Sequence, residues 1–362
     1  MSNVVSYTSK DAILYALGLG IGSEPDGEEL KYVYEHHTDF QAFPTFPLVL
    51  QPDSNYGGLA PFPTRDLAKC IRQVCSIILS DSNTAQNRSS LAKILSASPI
   101  LHIDQTLENY NRFPVSKAKQ VNDFQDFRTH IESFSSIESF IPKQIGLFVR
   151  MRTIYKWIGI EPYESNILPR GTVMSIATST ILFKGFRVKS PIIKSPQSKN
   201  MSVKPPWINN IQEINERVKP GTTFEPKYIK EFCLVNNQAL LYRLSGDYNT
   251  IHVEGVSSEG IPILHGLCTL GFALRAVLEY WEHAYFVTFI KCKFTNPLPV
   301  RSDIRVLVFD TLESNVQDRC EVKFNVQNIA TGEIVLDHGT VQGKRGTSTL
   351  NLNSNQLFQA RL

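Results

Sequence analysis

Residues 266–283 read Gly266-Leu-Cys-Thr-Leu-Gly-Phe-Ala-Leu-Arg-Ala-Val-Leu-Glu-Tyr-Trp-Glu-His283, and they decide the fold. Leu267, Leu270, Phe272, Leu274, Val277, Leu278 and Trp281 surround a helix axis instead of marking one stripe along it. A helix without a polar face must be covered on every side. Four segments suited to strands follow, at 285–294, 303–311, 319–328 and 333–342, separated by Pro297/Pro299, Ser314-Asn315 and Thr331-Gly332. A curved antiparallel sheet wrapped around the helix supplies the cover, giving an α+β class.

Upstream of that helix, Tyr242-Arg-Leu-Ser-Gly-Asp-Tyr-Asn-Thr-Ile-His252 places a carboxylate at Asp247 and an imidazole at His252, five positions apart. A water held between two such groups can lose one proton to the first and see another delivered by the second. Gly260-Ile-Pro-Ile-Leu-His-Gly266 then leads into the helix start. Unpaired N–H groups and a partial positive charge gather there, so the amide of Gly266 can hold a developing oxyanion. Acid, base and oxyanion donor lie close together in the chain, the combination that hydration chemistry needs.

The Asp247-x-Asn249-x-x-His252 element followed by Pro262-Ile-Leu-His-Gly-Leu-Cys268 resembles the signature of the R-specific (type 2) enoyl-CoA hydratases, the MaoC-like branch of the hot-dog superfamily. The likeness extends to Asp11–Gly20, Leu30–Glu35, Asp39-Phe40, Phe43–Phe46 and Leu101-His-Ile-Asp-Gln105; Asn237–Asp247 is its most specific block. It implies a double hot-dog, two antiparallel sheets each wrapped around a central helix, in which the first half lacks the catalytic element. The implied activity is hydration of a (2E)-enoyl-CoA to the (3R)-3-hydroxyacyl-CoA in peroxisomal β-oxidation. Asp247 and His252 are then the acid–base couple, either one being the base, while Asn249 fixes the water or orients the histidine. Gly266 supplies the oxyanion amide and Glu35 supports the site from the first half. His102, Ile103, Lys143, Tyr248, Thr250, Ile251 and Lys293 fall at substrate-binding positions. The acyl-CoA is the substrate; no metal or other cofactor is implied.

Plainer readings compete residue by residue. Asp247 after Ser-Gly could serve only as a turn or cap, His252 could be a core histidine, and Gly266 could merely admit close packing. Glu35 could pair with Lys31 one helical turn earlier. His265 is expected to pack or cap, and Cys268 to be inert filling. The chain departs from the family at Asn249-Thr250-Ile251-His252, where relatives carry proline in place of Thr250, at Glu254-Gly255, and in a shorter 253–261 segment. Two other functions therefore compete: a dehydratase running the reaction backwards in a specialised acyl-CoA pathway, and a non-catalytic acyl-CoA-binding protein.

The 362 residues suit two domains. We expect the N-terminal hot-dog over 1–190, with an insertion near 67–98, a Pro/Ser/Lys-rich linker over 191–215, the catalytic half over 216–345 and a polar tail over 346–362. In the first half, 99–105, 145–155 and 170–185 suit strands, 11–20 a short helix and turn, and a buried helix is expected after Pro44 and Pro47. With 42% apolar residues and a net charge of +3, from 37 basic and 34 acidic groups, nucleic acid is a poor partner. The apolar run at 12–21 is too short to span a bilayer, so no membrane is expected. Six cysteines without a CxxC pair suit a reduced compartment. Ala360-Arg361-Leu362 is a conservative variant of the Ser-Lys-Leu peroxisomal address, implying an import receptor as partner. A monomer and a homodimer of pseudo-dimers are both compatible with this plan.

Overall fold

The computed structural model describes residues 2–23, 27–50, 100–115, 127–161, 168–185, 225–255, 260–283, 285–310 and 319–345. The expected insertion at 67–98, the linker with its domain boundary, and the tail with Ala360-Arg361-Leu362 lie outside them.

Ten strands are described: β1 (Ser2–Tyr7), β2 (Ile100–Asn109), β3 (Arg128–Lys143), β4 (Gly146–Glu161), β5 (Val173–Lys184), β6 (Tyr228–Phe232), β7 (Tyr285–Phe294), β8 (Ile304–Asp310), β9 (Arg319–Asn328) and β10 (Ile334–Arg345). Their order across the sheet is β1-β3-β4-β5-β2-β7-β10-β9-β8-β6, and every pairing is antiparallel. Read outward from the middle, the two halves repeat one strand order, with β2 and β7 as equivalents. This is the double hot-dog plan. The two sheets join edge to edge through β2 and β7. At the seam Leu107 faces Ile290, both buried, and neither half is left with an open strand there.

Three α-helices are described: α1 (Ser9–Leu17), α2 (Gln238–Tyr242) and α3 (Gly266–Tyr280). Thr8 starts α1 through a capping box, its hydroxyl accepting from the amide of Asp11 while the Asp11 carboxylate accepts from the Thr8 N–H at 2.8 Å. All residues of α3 from Leu267 to Leu278 are buried, and β6–β10 curve around it. Each large apolar side chain enclosed in this way contributes roughly 1.5–3 kcal/mol. In the first half, Phe46–Val49 form a single 3-10 turn where a buried helix is expected to begin. The rest of that expectation falls in 51–99, outside the described residues.

The halves interlock beyond the sheet. Leu19, just after α1, lies so close to Gly271 of α3 that a methyl group there would meet its side chain at 2.3 Å. The α1 helix packs against α2, and the rings of Tyr15 and Tyr242 stand 5.9 Å apart. The first half thus backs directly onto the segment that carries Asp247.

Candidate active site

The segment from Tyr242 to His252 is a chain of tight turns, each set by its own residue. Gly246 ends the 3-10 turn Arg243–Ser245 with φ 116°, a left-handed conformation that glycine adopts without steric cost. Asp247 then accepts the Asn249 N–H on Oδ1 at 3.2 Å, and Asn249 accepts the Ile251 N–H on its own Oδ1 at 3.3 Å. These two local bonds close the 3-10 turn Thr250–His252. The carboxamide oxygen of Asn249 is therefore engaged by backbone. Through that bond Asn249 holds the turn that carries His252.

With Oδ1 of Asp247 occupied locally, Oδ2 stands 3.7 Å from Nε2 of His252. Nδ1 of His252 lies 2.7 Å from the carbonyl oxygen of Ile263. A carbonyl can only accept, so Nδ1 carries a hydrogen and every proton exchanged by the ring passes through Nε2, which faces the carboxylate. Ile263 is itself fixed. Its N–H donates to Ile251, Leu264 donates to Leu298 at 2.7 Å, and Ile263 forms a β-bridge with Pro299.

Burial pushes the Asp247 carboxyl above its ordinary range, against the opposing pull of His252 and of the Asn249 N–H. His252 is 8% exposed, so the couple is enclosed. His265 completes the wall. Its ring stacks on that of His252 with centroids 3.6 Å apart, and its Nε2 lies 3.2 Å from the carbonyl oxygen of Asp247. Burial, and next the nearby His252, hold its pKa down to about 3. The sequence reading had it packing or capping. It sits at the N-cap position of α3 without a side-chain cap bond, and it packs against both members of the couple.

Gly266 is the first residue of α3, where the amide has no acceptor within the helix. A Cβ on Gly266 would meet Cδ1 and Cε1 of Phe294 at 2.9 Å, so an aromatic edge stands directly against this residue. The ring of Phe294 in turn contacts that of His102 at 4.5 Å. Burial lowers the pKa of His102 to about 4, and its Nε2 donates to the carbonyl of Asp104 at 3.1 Å. A first-half side chain, His102, thus reaches the ring that stands against Gly266. Ile103 sits half-buried at a bulge in β2 beside it.

The other predicted residues are more scattered. Tyr248 and Thr250 are exposed on the turn, with the Arg243 guanidinium 4.8 Å from the Tyr248 ring, and Ile251 is half-buried. Lys293 is exposed on β7 opposite Asp104 and Asp337. Lys143 is exposed at the β3–β4 hairpin, its ammonium 4.9 Å from the Phe148 ring. In the sheet order β4, β5 and β2 lie between the strands of the two lysines. Glu35 lies 3.9 Å from the ring nitrogen of His36. Lys31 pairs with Glu28 at 3.0 Å instead of Glu35, and the first-half glutamate bonded to the second half is Glu29, through Arg275. No periodicity singles out Glu29. Its only sequence signal is the cation Arg275 inside the otherwise apolar stretch 270–278 of the helix.

The fold and the site together define a double hot-dog protein with an enclosed Asp–His couple at the mouth of its second central helix. Residues 216–334 match the MaoC like domain, and residues 5–71 match the MFE-2 hydratase 2 N-terminal domain. The chain thus carries a MaoC like domain in its second half and an MFE-2 hydratase 2 N-terminal domain in its first. Over 344 residues it is 26% identical to peroxisomal multifunctional enzyme type 2 of Mus musculus, covering 93% of this chain and 36% of that protein. Over 288 residues it is 27% identical to the peroxisomal enoyl-CoA hydratase 2 of Arabidopsis thaliana, covering 76% and 72%. Among solved structures, a MaoC-like dehydratase from Phytophthora capsici gives a TM-score of 0.63 at 20% identity, with 96% of both chains covered. The multifunctional enzyme type 2 of Drosophila melanogaster gives 0.58 at 22% identity, covering 95% of this chain and 48% of that one. Both structures share the fold. The chain spans 36%, 31% and 48% of the length of three multifunctional relatives, so it corresponds to only part of each.

Proposed function

We propose that this protein hydrates (2E)-enoyl-CoA to (3R)-3-hydroxyacyl-CoA in peroxisomal fatty-acid oxidation. The observation that carries the reading is the 3.7 Å approach of His252 Nε2 to Asp247 Oδ2, with the far ring nitrogen tied to the Ile263 carbonyl. With one proton shared between them, one member of the couple can act as base and the other as acid. Its unprotonated member takes a proton from water while the hydroxyl adds to C3 of the enoyl group. Electron density moves to the thioester oxygen, where the Gly266 N–H donates. The protonated member then delivers its proton to C2. One proton enters the couple and one leaves, so it is restored after each turnover.

Asp247, His252 and His265 offer ligand atoms within 4.8 Å of one another. One nitrogen of each ring already faces a backbone carbonyl, Nδ1 of His252 that of Ile263 and Nε2 of His265 that of Asp247. We assign no cofactor besides the CoA thioester substrate.

Purified protein mixed with crotonyl-CoA and with a longer enoyl-CoA should bleach the conjugated thioester absorbance and give the 3R product. Asp247→Asn and His252→Ala should each abolish it. Tight binding of the CoA ester without turnover would replace the enzyme by an acyl-CoA carrier. The names of its relatives support a peroxisomal location. Residues 346–362 fused to a fluorescent protein should carry it into peroxisomes through the import receptor, and a diffuse signal would discard the targeting role of Ala360-Arg361-Leu362.

A further inference from the structure

His265 takes no part in the proton transfers just described, yet it touches both groups that do. It is 1% exposed, and Tyr242 closes its other side with ring centroids 4.9 Å away. The carbonyl of Asp247 can only accept, so Nε2 of His265 carries the hydrogen and donates at 3.2 Å. Nδ1 is then a bare acceptor, buried and without a protein partner among the described residues. A phenyl ring would pack in this space without leaving such a nitrogen unpaired, and unpaired buried acceptors are destabilising. The imidazole is therefore costly as filling. What it adds over a phenyl ring is the N–H that fixes Asp247.

We propose that His265 is a positioning residue: its Nε2–H pins the backbone of Asp247, and its face sets the plane of His252, keeping Nε2 of His252 on the carboxylate. The proposal deepens the acid–base reading of Asp247 and His252 and rests on it. The groups facing His265 are Asp247, His252, Tyr242 and the Arg243 guanidinium. Burial first, then His252 and Arg243, disfavour a charge on His265, so it stays neutral. It can shape the proton transfer without exchanging a proton itself.

His265→Phe keeps the stacked ring and removes the donor; His265→Asn keeps a short donor and removes the ring. Each should lower kcat by roughly 10–100-fold with KM within about twofold, the size expected when a reacting group is displaced by about an ångström. Each should also shift the pH dependence of kcat by about half a pH unit or more. The His252 imidazole, followed by NMR titration in the absence of substrate, should shift by a similar amount. A merely structural role would reduce the folded fraction and scale kcat without moving the pH profile or the His252 titration.

Wild-type kcat and pH profile in either folded variant would overturn the proposal, and so would an unchanged His252 titration. Asp247→Asn and His252→Ala are measured alongside. Turnover surviving in those two sinks the acid–base reading itself, whereas its loss there with wild-type behaviour in His265→Phe sinks the positioning role alone. If His265→Phe does not fold, His265→Asn carries the test.

Discussion

Arg275 forks onto Glu29 across the boundary between the halves, Nε to Oε1 at 2.7 Å and Nη2 to Oε2 at 2.8 Å. The same guanidinium donates to the Leu19 carbonyl at 2.8 Å and lies against the rings of Phe232 and Phe272. A cation inside the central helix is tolerable because the first half supplies its counter-charge. Removing one partner leaves an uncompensated charge in a poorly solvated place. Glu29→Ala should therefore destabilise the protein by about 3–5 kcal/mol, whereas Glu29→Met combined with Arg275→Met should recover much of the loss. Urea denaturation reads both. An unchanged midpoint in Glu29→Ala would mean that the pair does not fasten the halves together.

The contact between Gly266 and Phe294 makes a second prediction. A methyl group at 266 has no room beside that ring, so Gly266→Ala must displace either the ring or the amide. If the amide moves off the thioester oxygen, kcat should fall roughly 10²–10³-fold. Phe294→Leu introduced with it should restore part of the rate by opening space. Wild-type kcat in Gly266→Ala would remove the amide from the mechanism.

Asp247 should trade stability for function. Burial raises its pKa in the folded protein, so the folded state holds this proton more tightly than the unfolded chain does. The stability linked to that proton is fully present below the unfolded carboxyl pKa and is lost as pH rises through the folded value. Asp247→Asn removes the ionisation, so it should raise the melting temperature more at pH 7 than at pH 4 while it abolishes turnover. An equal gain at both pH values would show that the carboxylate is not strained by its burial.

His265 and His102 predict the opposite limb. Burial holds their folded pKa values at about 3 and about 4, below the ordinary imidazole value. The stability they contribute is present above pH ~6.5 and is lost as pH falls toward those folded values. Each contributes a slope of at most about 1.4 kcal/mol per pH unit over that window. Chemical denaturation at pH 7, 5.5 and 4 should show His265→Phe and His102→Phe flattening the fall. Wild-type slopes in both variants would count against neutral buried rings.

The C-terminal half was legible because its signals are local. An all-apolar run must be enclosed, and β7–β10 carry alternating patterns between turn residues, so the observed strands fall within three residues of the expected spans. In the first half β2, β4 and β5 were readable as strands, although β2 and β4 run four and six residues past their expected ends, whereas β1 and β3 were not readable. The β1 strand is only six residues long, and β3 carries Ser133, Ser135, Ser136 and Ser139 among its apolar positions. Polar strands of this kind are specified by the partners they pair with, which no short window contains.

The sequence by itself determined the wrapped helix, the strand meander and the spacing of Asp247, His252 and Gly266, because side-chain chemistry and periodicity act over a few residues. Tertiary structure alone decided that the two sheets fuse through β2 and β7, and that Glu29 in place of Glu35 meets the second half. It also decided that Asn249 works on its own turn and that His265 lies across His252. Each of these depends on groups distant in the chain, or on which of several available partners a polar atom finds, and only the packed backbone makes that choice.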